Sequence, residues 1–453
     1  MDSMDSPTHV RWQILVMLSM VMIVTALGRL NLSIAAKFMQ DEFKFSAETM
    51  GWILGAFAFG YAVFQIPCGW AGDRYGPRLT LTIALLGWGV CTILMSIVSS
   101  LRWDVPLHFA WSLAGIRLLT GAGEAASYPN ATKVVAWWTT ARERGLGSSL
   151  LLGGVGAGGV IAPLLFTGVI ARWGWRWSFI LTGVLAAGIA MVWYLFSADR
   201  PQEHPRLNAA ELAILIRPRQ GAGEHTFSLQ GTPWRRIFSS SSVWALLLSY
   251  FCHGYTPYIY YTWFFIYLTK VRGFPIAKGA FWGAIPFLTM TLMALAGGWF
   301  SDKAVLRWGH RRGRQSMACL GMTFSAALLV AGSHVAGPIS AVLLLAGAAG
   351  FGSFAAPSWW ASCIDMAPNY AGSLSGIMNT CANIAGGLSP VVTAHIATRF
   401  GWSQALDFAA AINVAAALIW FFVKADTNLE ARTFGVAPGS GLLAYGDGVH
   451  KVT

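Results

Sequence analysis

Residues 69–78 read Gly-Trp-Ala-Gly-Asp-Arg-Tyr-Gly-Pro-Arg, and residues 298–303 read Gly-Trp-Phe-Ser-Asp-Lys. Each stretch closes an apolar run, and their aspartates, Asp73 and Asp302, stand 229 positions apart. A second pair of motifs agrees with the first. Gly158-Gly159 is followed by Pro163 and by a closing Arg172, Gly174 and Trp175; Gly386-Gly387 is followed by Pro390 and by Arg399, Gly401 and Trp402. Arg172 and Arg399 stand 227 positions apart. Two unrelated motifs repeating at nearly one spacing argue that the chain is a duplicated unit.

Working outward from these motifs, a spanning helix needs about 20 mostly apolar residues. That window selects twelve segments: 12–35, 50–70, 79–99, 106–129, 146–171, 177–197, 242–268, 277–300, 316–333, 338–361, 372–397 and 405–424. The runs are too long and too evenly apolar for barrel strands, which alternate over about ten residues. The expected fold is therefore an all-α polytopic membrane protein of twelve transmembrane helices in two pseudo-symmetric six-helix bundles. Its parts are a first bundle at 12–197, a cytoplasmic linker at 198–241, a second bundle at 242–424 and a cytoplasmic tail at 425–453. Repeated six-span halves are a transporter architecture, with substrate bound where the repeats meet.

Composition excludes the alternatives. Of 453 residues 55% are hydrophobic and 11% charged, with a mean hydropathy of +0.55. Soluble proteins carry about 25% charged residues, and disordered chains are more polar still. The net charge of +12 reads as topology, because cytoplasmic loops collect Lys and Arg. With both termini cytoplasmic, the inner side carries 20 of the 31 basic residues and the outer side 9. No nucleic-acid partner is implied. The six cysteines lack metal or redox spacing, and there is no phosphate loop, HExxH or nucleophile elbow, so the chain reads as neither enzyme nor ATPase and needs no cofactor or metal.

The loop Gly69-x3-Asp73-Arg74-x-Gly76-x-Arg78 resembles the signature of the major facilitator superfamily, a likeness extending over about residues 10–425. Within it, Arg29-Leu-Asn31-Leu-Ser33 and Gln65-Ile-Pro67-x-Gly69 resemble the anion:cation symporter family. So does Arg117-x3-Gly121-x2-Glu124-x3-Tyr128-Pro129. The resemblance implies alternating access, and in that family the first-span arginine holds the substrate carboxylate. Two positions depart from it: Gly28 stands where sugar-acid symporters carry an acid, and Gly154 where they carry a glutamine. Asp73, Arg74, Arg78, Asp302 and Lys303 form an expected conformational latch, the competing reading being a plain topology anchor.

Three formal charges sit well inside the spans, away from their ends: Arg29, Arg117 and Glu124. Such residues are costly in a bilayer and usually face a functional interior. Arg117 and Glu124 share a helix face about 10 Å apart, so each is free for another partner. Arg29 presents a planar fork that matches a carboxylate. Glu124, the sole carboxylate well inside the spans, is the candidate proton carrier. Tyr61, His253, Tyr255, Trp360, Asn379 and Asn383 are further candidates for substrate contact, and His253 also for proton transfer. For each, packing or interhelical bonding is the competing reading.

The expected function is proton-coupled symport of an organic anion, a sugar acid such as a hexuronate or aldonate. An aromatic or dicarboxylic acid carrier is the alternative, and a transporter-like nutrient sensor is the alternative of another class. The expected setting is a bacterial inner membrane, with a monomer in the lipid bilayer, a proton as coupling ion and Na+ left open.

Overall fold

A computed structural model describes residues 6–100, 106–140, 144–216, 234–367, 371–427 and 429. The side chain of Asp73, most of the tail and linker residues 217–233 lie outside the described residues. The first half comprises α1 (Val10–Phe43), α2 (Ala47–Tyr75), α3 (Pro77–Val98), α4 (Pro106–Glu124), α5 (Ser127–Trp138), α6 (Arg144–Trp173) and α7 (Trp175–Phe196). Short α8 (Ala209–Ile216) and α9 (Trp234–Ser239) belong to the linker. The second half comprises α10 (Ser241–Thr262), α11 (Phe264–Ile266), α12 (Ile276–His334), α13 (Pro338–Met366), α14 (Ala371–Phe400) and α15 (Trp402–Ile419). Eight of these helices are long and apolar enough, by length and composition, to cross a membrane.

The differences from the expected spans have local causes. The fourth span breaks after Glu124 and resumes as α5. Pro129 lacks the N–H that would bond the Ala125 carbonyl, so the ladder is interrupted there. The seventh span stops at Thr262 and continues through α11 into a π turn over Tyr267–Val271. The eighth and ninth form one element, α12, turned at Gly309, whose φ of 76° is open to glycine. The first span runs on to Phe43 because its polar last turn finds partners: Trp175 Nε1 and the Arg176 guanidinium donate to Glu42 at 2.8 and 2.6 Å.

The duplicated motifs do equivalent work in each half. A Cβ on Gly158 would meet α1 of its own half, at Ala26 and Ile23, while one on Gly159 would meet Phe287 of the other half. Likewise Gly386 faces Tyr258 of its own half and Gly387 faces Phe59 of the other. The first glycine of each pair thus seats the bundle, and the second seats the seam between bundles.

The first and last helices of each half are also clasped by polar groups. Asn31 Nδ2 donates to Thr182 Oγ1 at 2.9 Å and Ser178 Oγ donates to Asn31 Oδ1 at 2.7 Å, joining α1 to α7. Thr256 Oγ1 donates to Asn413 Oδ1 at 2.8 Å, joining α10 to α15.

The apolar cores divide unequally along the molecule. At the end away from the termini one core runs through both halves, from Leu30, Phe109 and Phe179 to Trp263, Phe264 and Leu406. At the end bearing the termini each half keeps its own: Ile14, Trp138 and Trp193 in the first, Val243, Trp359 and Trp420 in the second. Polar ties across the seam lie at the shared end. Ser33 Oγ donates to the Thr262 carbonyl at 2.7 Å, Lys270 pairs with Asp41 at 3.0 Å, and His395 meets Glu48 at 3.0 Å. The halves are therefore shut together at the far end and packed separately at the terminal end.

That seam depends on backbone contact. A Cβ on Gly55 of α2 would collide with the Gly387 carbonyl of α14, a backbone obstacle that cannot rotate away. Gly55→Ala is therefore expected to force α2 and α14 apart and cost about 1–3 kcal/mol of the closed form. A fall in the melting temperature of the purified protein checks this; an unchanged melt would show that the contact does not limit closure.

Candidate functional site

The site is built from α1, α2, α4 and α10. Glu124 ends α4 and is fully buried. Arg29, from the middle of α1, reaches it through two donors that converge on one oxygen: Nε lies 3.0 Å and Nη2 2.5 Å from Glu124 Oε1. Glu124 Oε2 is buried without a hydrogen-bond partner among the described residues. The pair is thus single-pronged, and the second face of the guanidinium is not used by the carboxylate.

Aromatic rings surround this guanidinium. Its carbon lies 5.3 Å from the rings of Phe57 and Tyr61 and 5.8 Å from that of Tyr261. Tyr61 and Phe57 come from α2, whereas Tyr261 comes from α10 in the other half, so the arginine sits on the seam. Its side chain keeps 23% of its surface accessible while Glu124 keeps none.

Arg117 is placed differently. Its Nη2 donates to the Arg29 carbonyl at 2.9 Å and Nη1 to the Gly28 carbonyl at 3.4 Å, and its carbon lies 4.6 Å from the Phe57 ring. The guanidinium therefore ties α4 to the backbone of α1 at Arg29. Its Nε is buried without a hydrogen-bond partner among the described residues.

Tyr258 Oη donates to Asn383 Oδ1 at 2.7 Å, and Asn383 Nδ2 donates to the Asn379 carbonyl at 2.8 Å. Tyr258 also packs on Tyr261 at 5.9 Å, which brings the α14 asparagines to the edge of the ring cluster. Tyr261 and Phe57 were not among the sequence candidates. Tyr261 lies three residues after Tyr258, on the same helix face, and that spacing was the available signal.

The other candidates lie apart from this cluster. Tyr255 Oη shares a hydrogen bond with Thr393 Oγ1 at 2.9 Å, within the second half. Trp360 Nε1 donates to Tyr250 Oη at 3.0 Å, and its ring faces Tyr128 across the seam at 6.5 Å. His253 is buried, stacked on Trp359 at 4.9 Å, and lines a water-sized void inside the second half with Thr256, Ser325 and Asn413.

The sequence model of the Major Facilitator Superfamily matches residues 18–390 and 307–446. The chain belongs to the major facilitator superfamily. Among superfamily members, the probable sulfoacetate transporter SauU of Cupriavidus necator is 31% identical over 392 residues, 86% of this chain and 88% of its own length. The D-galactonate transporter of Escherichia coli is 28% identical over 441 residues, 93% of this chain and 97% of its own. A bacterial homologue of the human lysosomal transporter Spinster, solved inward-facing and unoccupied, shares the fold. Its TM-score is 0.72 at 17% identity, with 92% of this chain and 98% of that one covered. The expectations of a twelve-span superfamily fold and of a transporter rather than an enzyme hold.

The superfamily's signature loop and its repeat make their bonds inside each half. Arg78 donates its backbone N–H to Asp199 Oδ1 at 2.7 Å and its guanidinium to the Tyr194 carbonyl. Arg74 lies over Trp70 and Tyr75, and Lys303 over Trp299 at 3.5 Å. In the second half Arg314 gathers Ser301, Asp302 and Asp365 at 2.8, 2.9 and 3.2 Å. Sequence reasoning passed over Asp365, because the repeat pairs it with no acid in the first half.

Burial separates the two acids. Asp365 keeps 14% of its side-chain surface exposed and Asp302 keeps 74%, around an arginine with 9%. Asp365→Asn is expected to cost about 3 kcal/mol by leaving Arg314 short of its buried partner. Asp302→Asn should cost about 1 kcal/mol or less, the range of exposed pairs. Melting curves of the two variants side by side check the order; equal losses would refute it.

Proposed function

We propose that the chain carries a small organic anion with protons by alternating access, the anion on Arg29 and the proton on Glu124. The observation that supports this reading is the single-pronged contact itself. Arg29 is shared between a fully buried carboxylate and an accessible face lined by rings. A charge-assisted fork to an incoming carboxylate draws the guanidinium from Glu124. A buried carboxylate left without its cation takes up a proton. Anion and proton then help each other bind, as linkage requires.

A sugar acid is the leading cargo. The galactonate relative aligns over nearly its whole length, and the hydroxyl and amide groups of Tyr61, Tyr258, Asn379 and Asn383 offer hydrogen bonds to hydroxyls beside the arginine. The ring cluster about Arg29 favours a second reading, an aromatic acid. The setting proposed is the bacterial inner membrane with both termini cytoplasmic, which makes the closed far end the outer one.

Counterflow in liposomes with labelled galactonate, glucuronate, sulfoacetate, succinate and benzoate tests the proposal. Trans-stimulated uptake of one of them, raised by an inward proton gradient and indifferent to Na+, is expected. Absence of flux for every acid would overturn it.

A further inference from the structure

A groove of about 430 Å³ opens at the far end, between the two halves and away from Arg29. Gln40, Lys44 and Phe45 line it from the first half, Trp263, Lys270 and Trp402 from the second. Its volume falls within the range of small-molecule sites, about 300–1,000 Å³. Trp263 and Trp402 form an edge-to-face pair at 6.0 Å, and Trp263 Nε1 is held by the Pro390 carbonyl at 2.9 Å, so the aromatic wall is fixed.

Nearby charges are mostly committed. Glu42 holds Arg176, Glu48 holds His395, and Asp41 holds Lys270. Lys44 has no acidic partner among the described residues. It caps α1 in the left-handed conformation, with φ of 56° and ψ of 32°. Glycine or asparagine would adopt that conformation at lower cost. Lys44, exposed at the groove, and Lys270 line it together with the indoles of Trp263 and Trp402, and cationic heads beside a flat aromatic wall suit a planar anion.

We propose that this groove is a second anion site, taking a flat carboxylate or sulfonate whose charge lies between Lys44 and Lys270 and whose body lies against Trp402 and Phe45. An occupant would bridge the halves where they are already closed. The site is independent of the Arg29 reading, since none of its lining belongs to the Arg29 cluster.

The test is calorimetric titration of full-length Arg29→Gln, Glu124→Gln protein in lipid nanodiscs with benzoate, with neutral benzamide as control. This background removes the Arg29 site without leaving buried Glu124 unpaired. Benzoate is expected to bind and benzamide not. Adding Lys44→Gln should weaken benzoate about tenfold, the loss of one charge-assisted contact. Adding Lys270→Gln as well should abolish it. Asp41→Asn, which frees Lys270 from its acid, should tighten binding about threefold, an effect that general destabilisation cannot produce. No benzoate binding to the Arg29→Gln, Glu124→Gln protein, binding that survives loss of both lysines, or weaker binding after Asp41→Asn would each overturn the proposal. None of these results bears on counterflow by the unaltered protein.

Discussion

Replacing Arg29 by glutamine is expected to lower counterflow by at least about a hundredfold. A desolvated, charge-assisted contact to a carboxylate is worth about 3–5 kcal/mol when one partner is removed. Glutamine offers the anion a neutral donor in place of a fork. Lysine keeps the charge but presents a point rather than two parallel donors, so Arg29→Lys should keep a small fraction of the activity. One confounding effect follows from the geometry. Without Arg29, fully buried Glu124 loses both donors that reach Oε1, and the fold suffers as well as the site. The double variant Arg29→Gln, Glu124→Gln removes that unpaired acid. It should regain expression and melting temperature while transport stays lost. If transport returned with stability, Arg29 would be a structural partner of Glu124 and not the anion's ligand.

The second large effect concerns Glu124. Glutamine there keeps the shape and an oxygen for Arg29 but cannot gain or lose a proton. Exchange of labelled for unlabelled anion needs no net proton movement, so it should persist within about threefold of the unaltered rate. Accumulation driven by a pH gradient should vanish. The two assays use the same liposomes and differ only in the gradient imposed. Driven accumulation that survives Glu124→Gln would move the coupling ion elsewhere.

The repeat and the twelve apolar runs made the fold legible in the sequence, because a bilayer demands long, internally bonded helices. Ends were less legible. Polar last turns such as Asp41 and Glu42 are helical because Lys270 and Arg176 meet them, and no apolar window detects that. The three intramembrane charges were found on cost alone. Their partners were not, because position along a span says little about which helices cross. A long arginine and the end of α4 bring Arg29 and Glu124 together. Spacing on α4 keeps Arg117 and Glu124 apart, but it does not show that Arg117 bonds the carbonyls of Gly28 and Arg29. His253 illustrates the same limit: its ring stacks on Trp359 inside the second half, which its place along a span does not reveal.

The linker is shorter in practice than in sequence. Glu211 of α8, fully buried, accepts from Thr8 Oγ1 and from the Val10 and Arg11 amides at 2.6, 2.9 and 3.1 Å, capping the start of α1. At the other end Ile237 of α9 is part of the second half's core. Each half therefore holds its own described part of the connection, α8 with the first and α9 with the second. Any movement of one half against the other that the proposed alternating access requires is then steered where helices of the two halves touch, at α2 against α14 and α6 against α12.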